Sequence, residues 1–175
     1  MEERVILVDE FDNPIGTEEK LKAHEDGVLH RAFSVFIFDT SGKMLLQKRA
    51  SEKYHSGGLW TNTCCSHPKP NELTLDAANR RLMEEMGMKS ELHYCFSFQY
   101  KAELDSGLIE NEFDHVFIGV TDDLPILNTN EAEGFKYMET EQVIDAMEEN
   151  PKDYTEWFKI CINELNHYIV NKKIA

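Results

Sequence analysis

At 175 residues the chain fits a single domain spanning 1–175 and is long enough to bury a core of its own. Its 33 acidic residues against 18 basic ones give a formal net charge of −15, which would repel a nucleic-acid backbone while leaving room for a small anionic substrate at a locally basic site. No apolar run approaches the roughly 20 residues of a membrane span, and the opening "MEERVILVDE" is too acidic for a signal peptide, so a cytoplasmic protein with no nucleic-acid or membrane partner is expected.

In chain order, "RVILVDEFDNPIG" reads as a short strand running into a turn at Asn13, Pro14 and Gly16. The segment around 24–30 is expected to be a loop. "RAFSVFIFD" (31–39) is a β-branched and aromatic run, "TSG" (40–42) a turn, and "KMLLQKR" (43–49) a returning strand, which together predict a hairpin. Residues 51–60 carry two glycines and form a loop. The spacing of Leu75, Ala78, Leu82 and Met86 predicts a helix over 74–87, with Thr74 as cap, Gly87 as exit, and Arg81, Glu84 and Glu85 on the opposite face.

Strict alternation over 93–101 predicts a strand with Tyr94, Phe96, Phe98 and Tyr100 on one face. Asp105, Ser106 and Gly107 form a turn into a second strand, 109–120. Residues 140–149 form a short helix that Pro151 ends. A last helix over 154–170 buries Phe158, Cys161, Ile162, Leu165, Tyr168 and Ile169, with Asp153 and Glu156 as a capping box. Strands, helix, strands and helices in this order predict an α/β (α+β) architecture, a mixed sheet with helices on its faces.

Four cysteines fall at 64, 65, 95 and 161, with no CxxC pair. A Cys64–Cys65 bridge would be strained, and zinc held by sulfur lacks a second cysteine pair. "WTNTCCSHP" (60–68) therefore contains one thiol with a chemical role or two small buried hydrophobes. His24 and His30 flank "EDGVL", His67 follows Cys65 by two, and alternation puts Glu110 and Glu112 on one strand face. Three imidazoles and two carboxylates suit a divalent metal such as zinc, manganese or iron. His55, His93, His115 and His167 read as surface or hydrogen-bonded histidines.

The helix is similar to the Nudix signature: Glu72, Arg80, Leu82, Glu84, Glu85, Gly87 and Met88 fall at matching positions, while Ser66 replaces a glycine and Arg81 the first glutamate of the core. "HRAFSVFIFD" (30–39), "WTNTCCSHP", this altered helix and "ENE" (110–112) together resemble, in the same order and over about residues 3–170, the type I isopentenyl diphosphate isomerases, which have the Nudix fold.

The resemblance implies a Nudix-type mixed sheet sandwiched between helices and the interconversion of isopentenyl and dimethylallyl diphosphate in isoprenoid biosynthesis. It implies Cys65 and Glu112 as the acid and base, Tyr100 as a helper in proton delivery and Trp157 as the ring facing a cationic intermediate. Lys20, Arg49, Lys53 and Arg81 would hold the diphosphate, with Mg2+ on Glu85. His24, His30, His67, Glu110 and Glu112 would hold a second divalent metal, Mn2+, Zn2+ or Mg2+. Cys64 is expected to be a small buried neighbour. A Nudix diphosphohydrolase and a metal-binding or redox-sensing module are the rival readings. No residue pattern fixes an oligomeric state.

Overall fold

A computed structural model describes residues 3–53, 55–104 and 107–173. The strands are β1 (Arg4–Val8), β2 (Pro14–Glu19), β3 (His30–Phe38), β4 (Met44–Arg49), β5 (Trp60–Thr61), β6 (Cys64–Ser66), β7 (His93–Glu103), β8 (Ile109–Val120) and β9 (Ala132–Met138), joined in one mixed sheet. The helices are α1 (Lys20–Asp26), α2 (Thr74–Met86), α3 (Thr140–Glu149) and α4 (Glu156–Lys173). No described helix is long and apolar enough to cross a membrane.

β3 is the central strand. It runs parallel to β8 along its whole length and antiparallel to β6, and meets β4 only at Phe38 and Met44. Both faces are covered, so its sequence is apolar almost throughout. Phe33, Val35 and Ile37 pack with Leu45 and with Ala77, Ala78, Leu82 and Met86 of α2. Phe36 and Phe38 pack on the other face with Phe158, Cys161, Ile162 and Leu165 of α4. Each fully buried Val, Leu, Ile, Phe or Met among them stabilises the fold by about 1.5–3 kcal/mol.

Along that second face the chemistry changes. Phe36 is preceded by Ser34 and His30, and in β8 Val116 is preceded by Asp114, Glu112 and Glu110; all five polar side chains are buried. An apolar core therefore grades into a polar one at the N-terminal ends of two paired strands.

Several local expectations change. The 24–30 loop contains the end of α1, whose C-cap Gly27 has φ 61° and donates its N–H to Ala23 O. Pro14–Glu19 pairs with β1 as a strand of its own. Thr74 does not cap α2, whose N-cap position is Leu73, and Leu75 is largely exposed. A bulge between Tyr94 and Phe96 breaks the alternation of β7, so Tyr94 pairs with Phe117 while Phe96, Phe98 and Tyr100 oppose Val116, Asp114 and Glu112. The Asp105–Ser106 turn lies outside the described residues, although Leu104 and Leu108 close the hairpin around it. α4 begins at Glu156, beyond a 3₁₀ turn at Pro151–Asp153, so Asp153 cannot cap it; the capping box belongs to α3, between Glu139 and Gln142.

Candidate active site

The polar end of the sheet forms a solvent-open cleft. Lys20, His24, Arg49, Lys53, Cys65, His67, Arg81, Glu85, Tyr100, Glu110, Glu112 and Trp157 line it, and fully buried His30 lies behind His67. Sequence positions from 20 to 157 thus converge on one cavity.

His24, His30, His67 and Glu112 form its most compact group, each offering a ligand atom within 4.8 Å of the others. They come from the last turn of α1, the start of β3, the residue after β6 and the N-terminal third of β8. His24 Nδ1 donates to Lys20 O and His30 Nδ1 to Val28 O, both at 2.7 Å. A carbonyl only accepts, so each neutral ring carries its proton on Nδ1 and presents a bare Nε2. His30 Nε2 and His67 Nε2 are 3.2 Å apart, and His67 Nε2 donates to Glu112 Oε1 at 2.9 Å. Burial pushes the His67 pKa down to about 3, against the pull of Glu112, which keeps the ring neutral. Imidazole nitrogens converging on a carboxylate fit a divalent ion of borderline softness.

Glu110 stands beside this group. Burial and the neighbouring Glu112 charge push its pKa well up. Burial works in the same direction on Glu112, but the His30 and His67 imidazoles beside it, His67 donating through Nε2, hold that carboxyl low. Tyr100 Oη lies 3.0 Å from Glu110 Oε2 and 2.6 Å from Glu112 Oε2. A phenol has one proton, so when Tyr100 donates to the ionised Glu112, the bond to Glu110 needs the proton that Glu110 retains. The three groups form a short chain along which a proton can move.

Cys64 and Cys65 are both free thiols. Because β6 is extended, they point to opposite faces. Cys64 is wholly buried in the core beneath α2, whereas Cys65, paired with Ser34, packs against the other core and lines the cleft. Burial pushes the Cys65 thiol well above its ordinary pKa, so it carries its proton at neutral pH. Trp157 lies beneath Arg49, whose guanidinium carbon is 5.1 Å from the ring centroid. Arg49 is itself buried; it donates to His55 O, and its Nε has no partner among the described residues. A buried cation with an unused donor facing a cleft is suited to an anion.

The remaining cations are held by acids. Lys20 pairs with Glu3 at 3.1 Å. Arg81 donates to Glu85 Oε1 through Nε and a terminal nitrogen, and to Glu84. Glu85 is buried instead of solvated, with Gln47 donating to its other oxygen at 2.9 Å. Arg80 clamps Glu72 with two bonds, fixing the loop before α2 against its second turn.

Three cleft residues, His55, Ser34 and Glu131, and Asp114 behind Ser34 escape the motif reading. His55 is buried with its ring 5.7 Å from Trp157, and burial followed by Arg49 lowers its pKa to about 3. Ser34 donates to Asp114 at 2.8 Å, and burial plus Glu112 raises Asp114 to about 8. Glu131 pairs with both Lys53 and Arg81. The alternation of β8 was the available signal for Asp114, two residues past Glu112; Glu131 had none, because its partners are some 50 and 78 residues away.

The class of the protein follows from comparison with known families. Residues 28–158 match the NUDIX domain, and the chain belongs to that family. Within it, the chain is 53% identical over 165 residues to isopentenyl-diphosphate Delta-isomerase 1 of Aromatoleum aromaticum, covering 94% of this chain and 93% of that protein. It is 49% identical over 164 residues to the isopentenyl-diphosphate Delta-isomerase of Pectobacterium atrosepticum, covering 94% and 92%. The chain is therefore a member of the isopentenyl-diphosphate Delta-isomerase family. The crystal structure of DR0079 from Deinococcus radiodurans superposes with a TM-score of 0.78 over 93% of this chain and 98% of that one; at 17% identity it shows the shared fold alone.

Proposed function

We propose that the protein, as one Nudix-fold domain working in the cytoplasm, interconverts isopentenyl and dimethylallyl diphosphate in this cleft. The observation that carries the reading is the pairing, in one cavity, of a half-buried, protonated thiol, Cys65, with the hydrogen-bonded carboxylate–phenol pair of Glu112 and Tyr100.

An unactivated alkene has no acidic proton. The double bond moves when a proton is added at the terminal carbon, positive charge develops at the tertiary carbon, and a proton leaves the carbon on its other side. The site must supply a donor and an acceptor and tolerate a cation between them. Cys65 and the Glu112–Tyr100 pair act as donor and acceptor in exchangeable roles, since the reaction runs both ways. Trp157 offers a π face worth about 2 kcal/mol or more to a desolvated cation. Lys20, Arg49, Lys53 and Arg81 bind the diphosphate, with Mg2+ held at Glu85.

His24, His30, His67 and Glu112, with Glu110 as a further carboxylate, hold a second divalent ion, Mn2+, Zn2+ or Mg2+. When bound, that ion supplies fixed positive charge that orients Glu112 and sets its proton affinity. Closure of the cleft around the hydrocarbon excludes the water that would capture the cation as an alcohol.

Incubation with isopentenyl diphosphate and magnesium in deuterated water, followed by proton NMR, tests the reading. Dimethylallyl diphosphate with deuterium in a methyl group is expected. Unchanged substrate together with phosphate release from other diphosphates would return the cleft to hydrolysis.

A further inference from the structure

The basic side of the cleft contains an acid with no part in the reading above. Glu131 Oε2 accepts from Lys53 Nζ and lies 3.2 Å from a terminal nitrogen of Arg81. One carboxylate oxygen thus occupies two of the four cations assigned to the diphosphate.

Its position is braced. Glu131 N donates to Asn128 O, and Ala50 N donates to Glu131 O, which ties the residue to the end of β4 beside Arg49. Asn128 in turn donates through its backbone N–H to Glu85 O and through its side chain to Glu84 O. The turn 128–131 is therefore fastened to the last turn of α2, which carries Glu85. Glu131 and Glu85 both reach the same terminal nitrogen of Arg81, at 3.2 and 2.6 Å.

A free diphosphate entering this site meets two carboxylates that repel it and already hold Lys53 and Arg81. Those carboxylates change sign in effect when a hard divalent cation arrives, because oxygen ligands are what such a cation requires. Resting on the assignment of the cleft to a diphosphate, we propose that Glu131 makes anion binding conditional on the metal: it holds Lys53 and Arg81 in the free protein and yields them to the diphosphate only when magnesium enters beside Glu85. The residue then selects the magnesium-loaded diphosphate over the free anion and over inorganic phosphate, and it acts through Lys53 and Arg81 as a positioning residue.

Calorimetric titration with inorganic pyrophosphate, in magnesium and in chelator, reads this directly without turnover. The folded protein should bind pyrophosphate at least tenfold more tightly in magnesium. In Glu131→Gln, which keeps the shape and removes the charge, binding in chelator should strengthen several-fold and the magnesium-dependent gain should shrink by the same factor, leaving the part that Glu85 supplies. Glu133→Gln removes a carboxylate two residues away that pairs with Lys48 outside the cleft, and should leave the gain unchanged. An undiminished magnesium gain in a folded Glu131→Gln protein would overturn the proposal. Failure of the wild type to bind pyrophosphate in either condition would instead overturn the diphosphate assignment beneath it.

Discussion

Cys64 and Cys65 are neighbours with the same side chain and opposite surroundings, which makes them a matched pair for assigning chemistry to a single residue. Cys65→Ala should lower turnover by at least about 10²-fold, the scale of a lost acid or base. Metal content by elemental analysis and the melting temperature should remain near wild type. Cys64→Ala should do the reverse, costing about 1 kcal/mol in urea denaturation with turnover retained. His55 supplies a second test. Its ring accepts a proton near pH 3 in the fold and near 6.5 when unfolded. Between those values the unfolded chain binds more protons, so the His55 contribution to stability is complete above pH 6.5 and is lost progressively as pH falls towards 3. The slope is limited to about 1.4 kcal/mol per pH unit for each proton. In metal-free protein, His55→Gln should flatten the fall in melting temperature below pH 6.5, and an unaltered slope would show that the ring is protonated in the fold. Residue type and spacing made His67 and Glu112 visible in the sequence as candidate metal ligands, whereas Cys65 was singled out over Cys64 only by the resemblance to the isomerase family. What set Cys65 apart from Cys64, and His55 from a surface histidine, is burial, which depends on which strands and helices meet and is written in no single segment.

α2 was legible almost to the residue because a period of 3.6 over 13 residues is a strong signal and Gly87 marks its end. β2 was not, because PIGTEE is polar and mostly exposed, and the seven-residue α1 is too short to show a period. The bulge in β7 was equally hidden. One extra residue at Cys95 leaves the composition of an alternating strand unchanged, yet it turns Tyr94 away while keeping Tyr100 opposite Glu112. Gly87 carries a consequence for the element it ends. Its φ is +62°, and a Cβ there would stand 2.5 Å from Ile126 O, whose own N–H donates to Met86 O. Gly87→Ala therefore meets backbone on both counts and should cost about 1–3 kcal/mol, measured by urea denaturation. Gly58, with φ +75° and nothing within 4 Å of the added Cβ, isolates the conformational part, so Gly58→Ala should cost less.

The cleft belongs to no single element, and its metal group gives the molecule a long-range cross-link. The four donors at 24, 30, 67 and 112 sit on α1, β3, the segment after β6, and β8, so an ion bound there joins the N-terminal helix to the middle of the sheet. An unfolded chain holds these donors far apart, so the ion binds the fold in preference and stabilises it by mass action. At a free concentration 100 times Kd that amounts to about 2.7 kcal/mol. For a chain of this length each kcal/mol moves the melting temperature by about 2–4 °C, so chelation should lower it by roughly 5–10 °C, with recovery on adding Mn2+, Zn2+ or Mg2+. Because His30 is fully buried and is held at Nδ1 by Val28 O, His30→Asn replaces a rigid donor with a shorter one and should abolish the recovery. The same titration on Cys65→Ala should match wild type, since the thiol lies outside the donor group. A protein whose melting temperature ignores both chelator and added ions would show that the three imidazoles and Glu112 are held together by their own hydrogen bonds, with no ion contributing to the fold.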